Sequence, residues 1–336
     1  MAAPQGETLM GADALSDLLK TVRLTGAVFF EIHAGDDWAV GSPAPNMILP
    51  KILPDADHLV AFHVVTEGHC YGALAGSEAV RVDAGEVIVF SRADAHVMAS
   101  APGLPHEPFT ADAVEIATAG QTPYCINFGG SGDIQARLVC GYLACDASPF
   151  NPLLDNLPRV IKGGRQQNSR PNWLDRFVQF ALAEMAEDRA GRETILTKLS
   201  ELMFIDVLRG YIETLPPERT GWLAGVRDPS VGRALSLLHG RPARDWTIEA
   251  LARESGVSRS VLAERFTQLV GIPPMAYLAK WRMQIAAEML AHGAAGMAQI
   301  AEAIGYDSEA SFSRAFKKLT GVPPSQWRRR DAKLTV

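Results

Sequence analysis

Short apolar runs separated by turn residues fill about the first 150 residues of the chain. The runs VFFEIHAG, HLVAFHVV, EAVRVDAGEVIVF and HVMAS are rich in Val, Phe and Ile, and Gly, Pro and Asp stand between them. Short strands broken by turn residues are typical of an antiparallel sandwich or barrel. The front of the chain, residues 1–165, is therefore predicted to be a small β-barrel domain.

The spacing of apolar residues changes from Asn172 onward. Steps of three and four residues, typical of amphipathic helices, connect Trp173, Phe177, Phe180 and Leu182, and then Leu196, Leu199, Met203, Ile205 and Leu208. A break near Gly191 separates the two series. We predict a helical hairpin over residues 166–214, followed by a linker over 215–226 that contains LPPERTG.

One sequence motif occurs twice in the last third of the chain. GIPPMAYL at 271–278 and GVPPSQWR at 321–328 share a Gly-x-Pro-Pro turn followed by an aromatic residue. Similar residues also precede both turns, with a register slip of one position. The repeated unit is therefore longer than a turn.

Each copy has the features of two helices joined by a tight turn. In the first copy Thr247 can cap one helix, Gly256 can supply a left-handed C-cap, and Ser258 can cap the next helix. The apolar positions of the second helix, which we expect to pack on the first, are Val261, Leu262, Phe266 and Leu269. This is the helix-turn-helix arrangement, and it predicts an all-α region over residues 227–336.

The stretch between the two copies contains no helix breaker. Residues 275–291 would form a single helix of about 17 residues, or about 25 Å at ~1.5 Å per residue. A rigid spacer of that order can hold two recognition helices in successive major-groove segments, about 34 Å apart. The duplication thus predicts contact with two adjacent grooves of DNA.

Charge is divided unevenly along the chain. The segment from Arg227 to the end carries 16 Lys and Arg and 10 Asp and Glu, a net +6, so −12 remains for the rest of a chain whose total is −6. A basic region joined to an acidic one suits a polyanion binder attached to another module. The start of the chain lacks the pattern of a signal peptide, no run is long enough to span a membrane, and the four cysteines show no paired spacing. We expect a cytoplasmic protein without disulfides.

Residues 222–330 resemble the DNA-binding domain of the AraC/XylS-type transcriptional regulators. The resemblance is carried by GYDSEASFSRAFKKLTGVPPSQWRR and by YLAKWRM, which is similar to that family's linker helix. It implies base-reading positions at Ser260, Ala263 and Glu264 in the first copy and at Glu309, Ala310, Ser313 and Arg314 in the second. The first set departs from the pattern because two of its residues are small, so Arg259 or Arg265 is expected to contact DNA there instead. Lys317 and Lys318 suit phosphate contacts.

The front of the chain resembles the cupin-type sensor domain of the same regulators. The resemblance is carried by FHVVTEGHCYG and VDAGEVIVFSRADAHVM. It implies a pocket for a small-molecule effector, for which the candidate residues are Phe62, His63, Val64, Tyr71, Phe90 and His96.

Cupin enzymes hold a metal through His and Glu residues, so His63, Glu67, His69 and His96 could be read as ligands. The spacing argues against this interpretation, because His69 follows His63 by six positions and Gly68 is expected to turn the chain between them. We therefore expect no metal and no cofactor.

These features predict an α+β multidomain protein with a cupin-like barrel, a helical hairpin and a double helix-turn-helix domain. The predicted function is that of a DNA-binding transcriptional regulator, an activator by the family's habit, and not an enzyme. The expected partners are promoter DNA, a small-molecule effector, RNA polymerase and a second copy of the chain, which would pair through the hairpin. We expect no contact with a membrane. Two alternatives stay open: a metal-dependent cupin enzyme with an appended helical module, and a regulator without an effector.

Overall fold

The computed structural model describes residues 14–21, 24–42, 47, 58–108, 124–129, 133–145, 149–164, 173–187, 189–216, 218–293 and 295–331 of the 336-residue chain. Contacts divide these residues into two units. The sheet unit comprises the described residues of Leu24–Asp146 and Leu157–Leu215. The helical unit comprises those of Met1–Arg23, Ala147–Asn156 and Pro216–Val336.

Two β-sheets form the centre of the sheet unit. Their strands are β1 (Leu24–Ala34), β2 (Ala39–Ser42), β3 (His58–Glu67), β4 (His69–Leu74), β5 (Val80–Asp83), β6 (Glu86–Phe90), β7 (His96–Ala99), β8 (Glu107–Pro108), β9 (Tyr124–Phe128), β10 (Ala136–Cys145) and β11 (Val160–Gly164). The strand order is β11-β6-β3-β10-β1-β9 in the first sheet and β5-β4-β7-β2-β8 in the second. Neighbouring strands are antiparallel except in the pairs β1–β9 and β2–β8. The predicted sheet-rich front of the chain is confirmed.

Both faces of the first sheet are buried, and residues on its central strands alternate between them. Phe30 and Ile32 of β1 point into the core between the sheets, together with Tyr142 of β10. On the opposite face the Phe29 and Phe62 rings meet edge to face at 5.7 Å. A strand covered on both faces is apolar at nearly every position, which explains the unbroken run HLVAFHVV.

Two helices of the sheet unit pack on the first sheet. They are α3 (Trp173–Ala186) and α4 (Arg192–Thr214), and they contact β1, β3, β10 and β11. Gly191 stands between them with a φ of 86°. The predicted helical hairpin is therefore confirmed, but not all of its apolar face is covered. The side chain of Phe180 is 52% exposed, and that of Leu202 is 57% exposed.

The helical unit contains the repeated sequence. Its helices are α1 (Ala14–Thr21), α2 (Pro152–Asn156), α5 (Trp222–Arg227), α6 (Pro229–Gly240), α7 (Ile248–Glu254), α8 (Arg259–Val270), α9 (Pro274–His292), α10 (Met297–Ala303), α11 (Glu309–Thr320) and α12 (Pro324–Asp331). In the part of the chain that the structure describes, no helix has both the length and the apolar character needed to cross a membrane.

Two helices of this unit come from the front of the chain. Helix α1 packs on α6, and α2 packs on α5. The buried residues of α2 are Pro152, Leu153 and Leu154, which give it an apolar side to cover. The division by contacts thus differs from the sequence-based boundary at residue 165, which assigned both segments to the barrel domain.

The two copies of the repeat adopt the same local structure. The side chains of Ser258 and Ser308 accept hydrogen bonds from backbone N–H groups in the first turns of α8 and α11. Gly271 and Gly321 end those helices in the left-handed conformation. The predicted cap at Thr247 is also present. One expectation is corrected: Val261 is 45% exposed, because Leu262 and Phe266 form the buried side of α8 and Val261 lies beside it.

The tight turns of the two copies differ in one respect that mutation can test. Gly256 and Gly305 have similar φ angles of 76° and 78°, but a Cβ at Gly256 would meet nothing within 4 Å. A Cβ at Gly305 would lie 2.4 Å from the carbonyl oxygen of Ala243. Alanine at position 256 therefore tests backbone strain alone, whereas alanine at position 305 tests backbone strain together with a steric clash.

We predict that Gly256→Ala lowers the free energy of unfolding by about 1–2 kcal/mol, the cost of a left-handed non-glycine residue. Gly305→Ala should cost at least about 1 kcal/mol more, because the backbone of the loop at Ala243 must also shift. Urea unfolding of both full-length variants measures the difference. Equal losses would contradict the close approach at Gly305.

Candidate nucleic-acid interface and barrel cavity

In the second helix of each repeat, few side chains are buried and most of the remaining surface is polar. In α11 the rings of Phe312 and Phe316 are fully buried, whereas Glu309, Ala310 and Arg314 are exposed. Ser313 is half-buried, and it follows Ala310 by three residues on the same side of the helix. The structure therefore brings the predicted second set together on one accessible surface. Among the described side chains, the Arg314 guanidinium has no ion-pair partner.

The first repeat offers a less basic surface. Ser260 and Glu264 of α8 are exposed, and Ala263 is half-buried. The Arg259 guanidinium lies 3.1 Å from the carboxylate of Glu249 on α7, and both side chains are largely exposed. Such an exposed ion pair is weak, so Arg259 remains able to turn toward a phosphate.

Arg265 has a different environment from the one that the sequence suggested. Its Nε donates to Oδ2 of Asp228 at 2.6 Å, and Asp228 is buried at the N-terminus of α6. The other carboxylate oxygen of Asp228 accepts from the backbone N–H groups of Ser230 and Val231. Arg265 thus joins α8 to the cap of α6, which is a structural role.

The pKa of Asp228 reflects these contacts. Burial acts to raise it, but the hydrogen bonds from Val231, Ser230 and Arg265 outweigh burial and hold the pKa below its ordinary value. Asp228 therefore stays ionised and stabilises the fold at neutral pH.

Basic residues continue beyond the predicted base-reading positions. Lys317 and Lys318 are exposed in the last turns of α11. Arg328 is less free, because its Nη2 donates to the carbonyl oxygen of Ala295 at 2.6 Å. Lys317 and Lys318 are therefore accessible cations at this end of α11.

The aromatic residue after the first Pro-Pro turn lies in the core of the helical unit. The hydroxyl of Tyr277 accepts from Nε1–H of Trp222 at 2.8 Å and donates to Nε2 of His239 at 2.8 Å. The His239 ring stacks on Trp281 at 3.9 Å. Burial lowers the pKa of His239 to about 3, so the imidazole is neutral and can accept. The Gly-x-Pro-Pro turn thus places an aromatic anchor under α8.

The second copy places its aromatic residue similarly. Trp327 follows the second Pro-Pro turn, and its ring meets that of Phe316 edge to face at 5.6 Å. Phe316 belongs to the buried cluster that joins α9, α10 and α11. Each repeat therefore fixes its recognition helix from below by an aromatic contact.

The sheet unit contains a small, mostly apolar and partly open cavity of about 50 Å³. Its lining comprises Phe30, Ile32, Val40, Ser42, His63, Met98, Ile126, Phe128, Cys140, Gly141 and Tyr142. The hydroxyl groups of Ser42 and Tyr142 share a hydrogen bond of 2.8 Å. Most of the lining comes from β1, β9 and β10, and no residue of these strands is among those that the sequence predicted for the effector pocket.

Only one of the predicted effector residues lines this cavity. His63 does so, whereas Phe62 and Val64 are its neighbours on β3 and point to the other face of the sheet. The Phe90 ring stacks on His96 at 3.8 Å behind His63. Tyr71 is half-buried on β4, against His69 at 6.0 Å between ring centres.

A pair of buried histidines borders the cavity. Nδ1–H of His96 donates to the carbonyl oxygen of Asp94 at 2.7 Å. Nε2 of His96 must then accept from Nε2–H of His63, at 2.8 Å. Burial, followed by the proximity of His96, holds the pKa of His63 well below its ordinary value, and burial lowers the pKa of His96 to about 4. Both rings are therefore neutral at physiological pH.

The four residues considered as metal ligands are divided by the fold. His63 and His96 meet, but Glu67 pairs with Arg137 at 3.1 Å and is exposed. Gly68, with a φ of 70°, turns the chain so that β3 and β4 enter different sheets. His69 lies exposed at the start of β4. Among the described residues, no three His, Cys, Asp or Glu side chains are grouped as metal ligands.

Comparison with known proteins gives matches along most of the chain. Residues 13–213 match the family described as cupin, and residues 251–330 match a helix-turn-helix domain family. A protein named as an AraC-like transcription regulator from Streptomyces lividans is 32% identical over 322 residues, covering 94% of this chain and 98% of its own. One of the same description from Streptomyces antibioticus is 31% identical over 324 residues, covering 94% and 98%. The structure of the C-terminal domain of AraT, a response regulator from Geobacillus stearothermophilus, is 38% identical, covers 31% of this chain and 86% of its own, and has a TM-score of 0.30.

The contact between Asp228 and Arg265 predicts a pH-dependent loss of stability. Asn can still cap α6, but Asp228→Asn removes the charge that Arg265 contacts, so the free energy of unfolding at pH 7 should fall by about 1–2 kcal/mol. Because the folded pKa lies below the unfolded one, the wild-type advantage should be present above about pH 4 and disappear as the pH falls through the folded pKa.

Urea unfolding at several pH values measures this difference. Glu302→Gln, at an exposed carboxylate of the same unit, serves as the control and should change little. A loss for Asp228→Asn that does not vary with pH would contradict the assignment.

Proposed function

Because this chain belongs to the family of AraC-like transcription regulators, we propose that it binds promoter DNA by placing α8 and α11 in two adjacent segments of the major groove. One observation carries this proposal. Two helix-turn-helix pairs with the same caps stand on either side of the unbroken helix α9, which has 19 residues. Such an arrangement supports two recognition helices on one face of a duplex.

Direct reading of bases is assigned mainly to α11. Arg314 can donate two hydrogen bonds to a guanine, and Glu309 can accept from a cytosine amino group. Ala310 and Ser313 lie between them and are small enough to allow close approach. In α8, Ser260, Ala263 and Glu264 take the equivalent positions, with Glu264 suited to a cytosine.

Phosphate contacts are assigned to other residues. Lys317 and Lys318 extend the basic surface of α11, and Arg259 can leave its exposed ion pair for a phosphate at the start of α8. Arg265 is not proposed as a DNA contact, since Asp228 holds its guanidinium. Sequence preference should therefore depend more on α11 than on α8.

The barrel cavity is proposed as the site of a small-molecule effector. Its walls are largely apolar, and the polar groups at its edge are neutral: His63 and the Ser42–Tyr142 hydroxyl pair. This chemistry fits a compact, uncharged molecule with one polar atom. The opposing interpretation, a metal-dependent cupin enzyme, requires Glu67 and His69 near His63, and they lie elsewhere.

The hairpin surface suggests a homodimer. Ile195 and Leu202 of α4 are exposed and lie seven residues apart, two turns along the same face, and Phe180 of α3 is also exposed. A second copy that covers these side chains would remove apolar surface from water. Four further parts of the proposal rest on family membership alone. They are contact with RNA polymerase, activation as the sign of regulation, the absence of enzymatic activity and a cytoplasmic location.

Replacing Arg314 should change which sequences are bound. We expect Arg314→Ala to lose base preference at one position, worth about 1–3 kcal/mol, because a bidentate contact to one base disappears. Selection from a random duplex pool at two salt concentrations measures the preference.

Lys318→Ala is the control for that experiment. Loss of a phosphate contact should weaken binding to all sequences alike and reduce the salt dependence by about one counterion. If Arg314→Ala also weakened all sequences alike, its assignment as a base reader would be wrong.

Filling the cavity should abolish ligand binding. Phenol and cyclohexanol, each apolar with one hydroxyl group, should raise the melting temperature of the wild-type protein in a concentration-dependent way. Cys140→Leu places a larger side chain in the cavity wall and should remove this shift. Cys125→Leu, on the exposed side of β9, should keep it. An equal shift in both variants would exclude this cavity as the site.

A further inference from the structure

The guanidinium group of Arg282 joins both helix-turn-helix pairs. Arg282 lies near the middle of α9, and its Nε and Nη2 donate to the carbonyl oxygens of Pro242 and Arg244 at 2.8 and 2.9 Å. Both carbonyls belong to the loop before α7, in the first pair. Its Nη1 donates to the carbonyl oxygen of Gly305 at 3.2 Å, in the turn before α11. Loops from the two pairs thus converge on one side chain.

The loop before α7 is itself held in place. Arg244 makes two hydrogen bonds to Glu254 of α7, at 2.6 and 3.1 Å. The same guanidinium lies 4.0 Å above the ring of Trp246, whose Nε1–H donates to the carbonyl oxygen of Arg241. The carbonyl groups that Arg282 contacts are therefore presented by an ordered loop.

The turn before α11 approaches that loop closely. Gly305 leaves so little space that a Cβ would lie 2.4 Å from the carbonyl oxygen of Ala243. The Arg282 guanidinium also lies 5.7 Å from the ring centre of Tyr306, the next residue in the turn. The two pairs thus meet backbone to backbone beside Arg282.

We propose that Arg282 is a positioning residue that fixes the distance and angle between α8 and α11, and so sets the spacing of the two DNA boxes. This inference rests on the proposed function. The planar fork of an arginine presents donors on three separate nitrogen atoms, whereas the ammonium group of a lysine carries its three donors on one nitrogen atom. With its donors turned to protein carbonyls, Arg282 acts through the recognition helices without touching a base.

DNA geometry makes the spacing a sensitive readout. One added base pair between the boxes rotates the second box by about 34° and moves it by about 3.4 Å. A rigid pair of recognition helices cannot follow both changes. Without the Arg282 hydrogen bonds the pairs stay joined by α9 and by the close approach of Gly305 to Ala243, and the angle between α8 and α11 can adapt.

The test compares duplexes that carry the boxes selected by the wild-type protein at the selected spacing, or with one base pair removed or added. The wild-type protein should lose about tenfold or more in affinity on either altered duplex, a cost similar to that of a mismatched base pair. Arg282→Gln should lose no more than about threefold on the altered duplexes, while each single box is bound as by the wild type. Arg241→Gln, at an exposed arginine of the same loop, should behave as the wild type.

The spacing penalty and the overall affinity of Arg282→Gln report on different roles of the residue. An unchanged spacing penalty in Arg282→Gln would overturn the inference, even if overall affinity fell, because a purely structural role lowers binding at all spacings alike. If Arg282→Gln shows no cooperative thermal unfolding, Arg282→Lys is measured in the same way. Its spacing penalty should be smaller than that of the wild type, and a penalty equal to that of the wild type would overturn the inference. A wild-type protein that selects no second box would refute the proposed function itself, and the inference with it.

Discussion

Three carbonyl oxygens from two loops surround the Arg282 guanidinium, and the rest of the helical unit is arranged about this junction. On one side, α9 extends to Tyr277, whose hydroxyl joins Trp222 and His239 beneath α8. On the other side, α9 contributes Met283 and Leu290 to the cluster that supports α11. A change in the angle between the pairs must break these contacts or bend α9.

The sheet unit follows a different constraint. Its first sheet is buried on both faces, so apolar residues fill the core and also meet the helical hairpin. The polar side chains that border the cavity are neutral and hydrogen-bonded to one another: His63 to His96 and Ser42 to Tyr142. Charged ligands would pay a large desolvation cost in such a cavity. An effector could regulate DNA binding only if its affinity differed between two states of the protein.

Local sequence determined how well each feature could be predicted. The caps at Thr247 and Ser258 and the left-handed Gly256 depend on a few neighbouring residues, and the structure has all three. The partner of Arg265 could not be foreseen, because Asp228 is distant in sequence and the contact forms only when α6 packs beside α8. The exposure of Val261 differs from the expectation, because an apolar side chain alone does not show on which side of a helix it lies.

The cavity was harder to predict than the repeat. Its walls come from strands paired over long separations, such as β1 with β10, and no local pattern states that pairing. The sequence cannot assign Phe62 and Val64 to one face of β3, because a strand buried on both faces is apolar at nearly every position. Alternation along VFFEIHAG could have indicated Phe30 and Ile32, once β1 was known to border the core.

We propose that the two recognition helices, held by one rigid junction, occupy adjacent major-groove segments. Hydroxyl-radical footprinting of the full-length protein on its selected duplex measures this arrangement. Two protected patches are expected on the same face of the duplex for each bound chain, separated by about one helical turn. A single patch, or two patches on opposite faces, would contradict it.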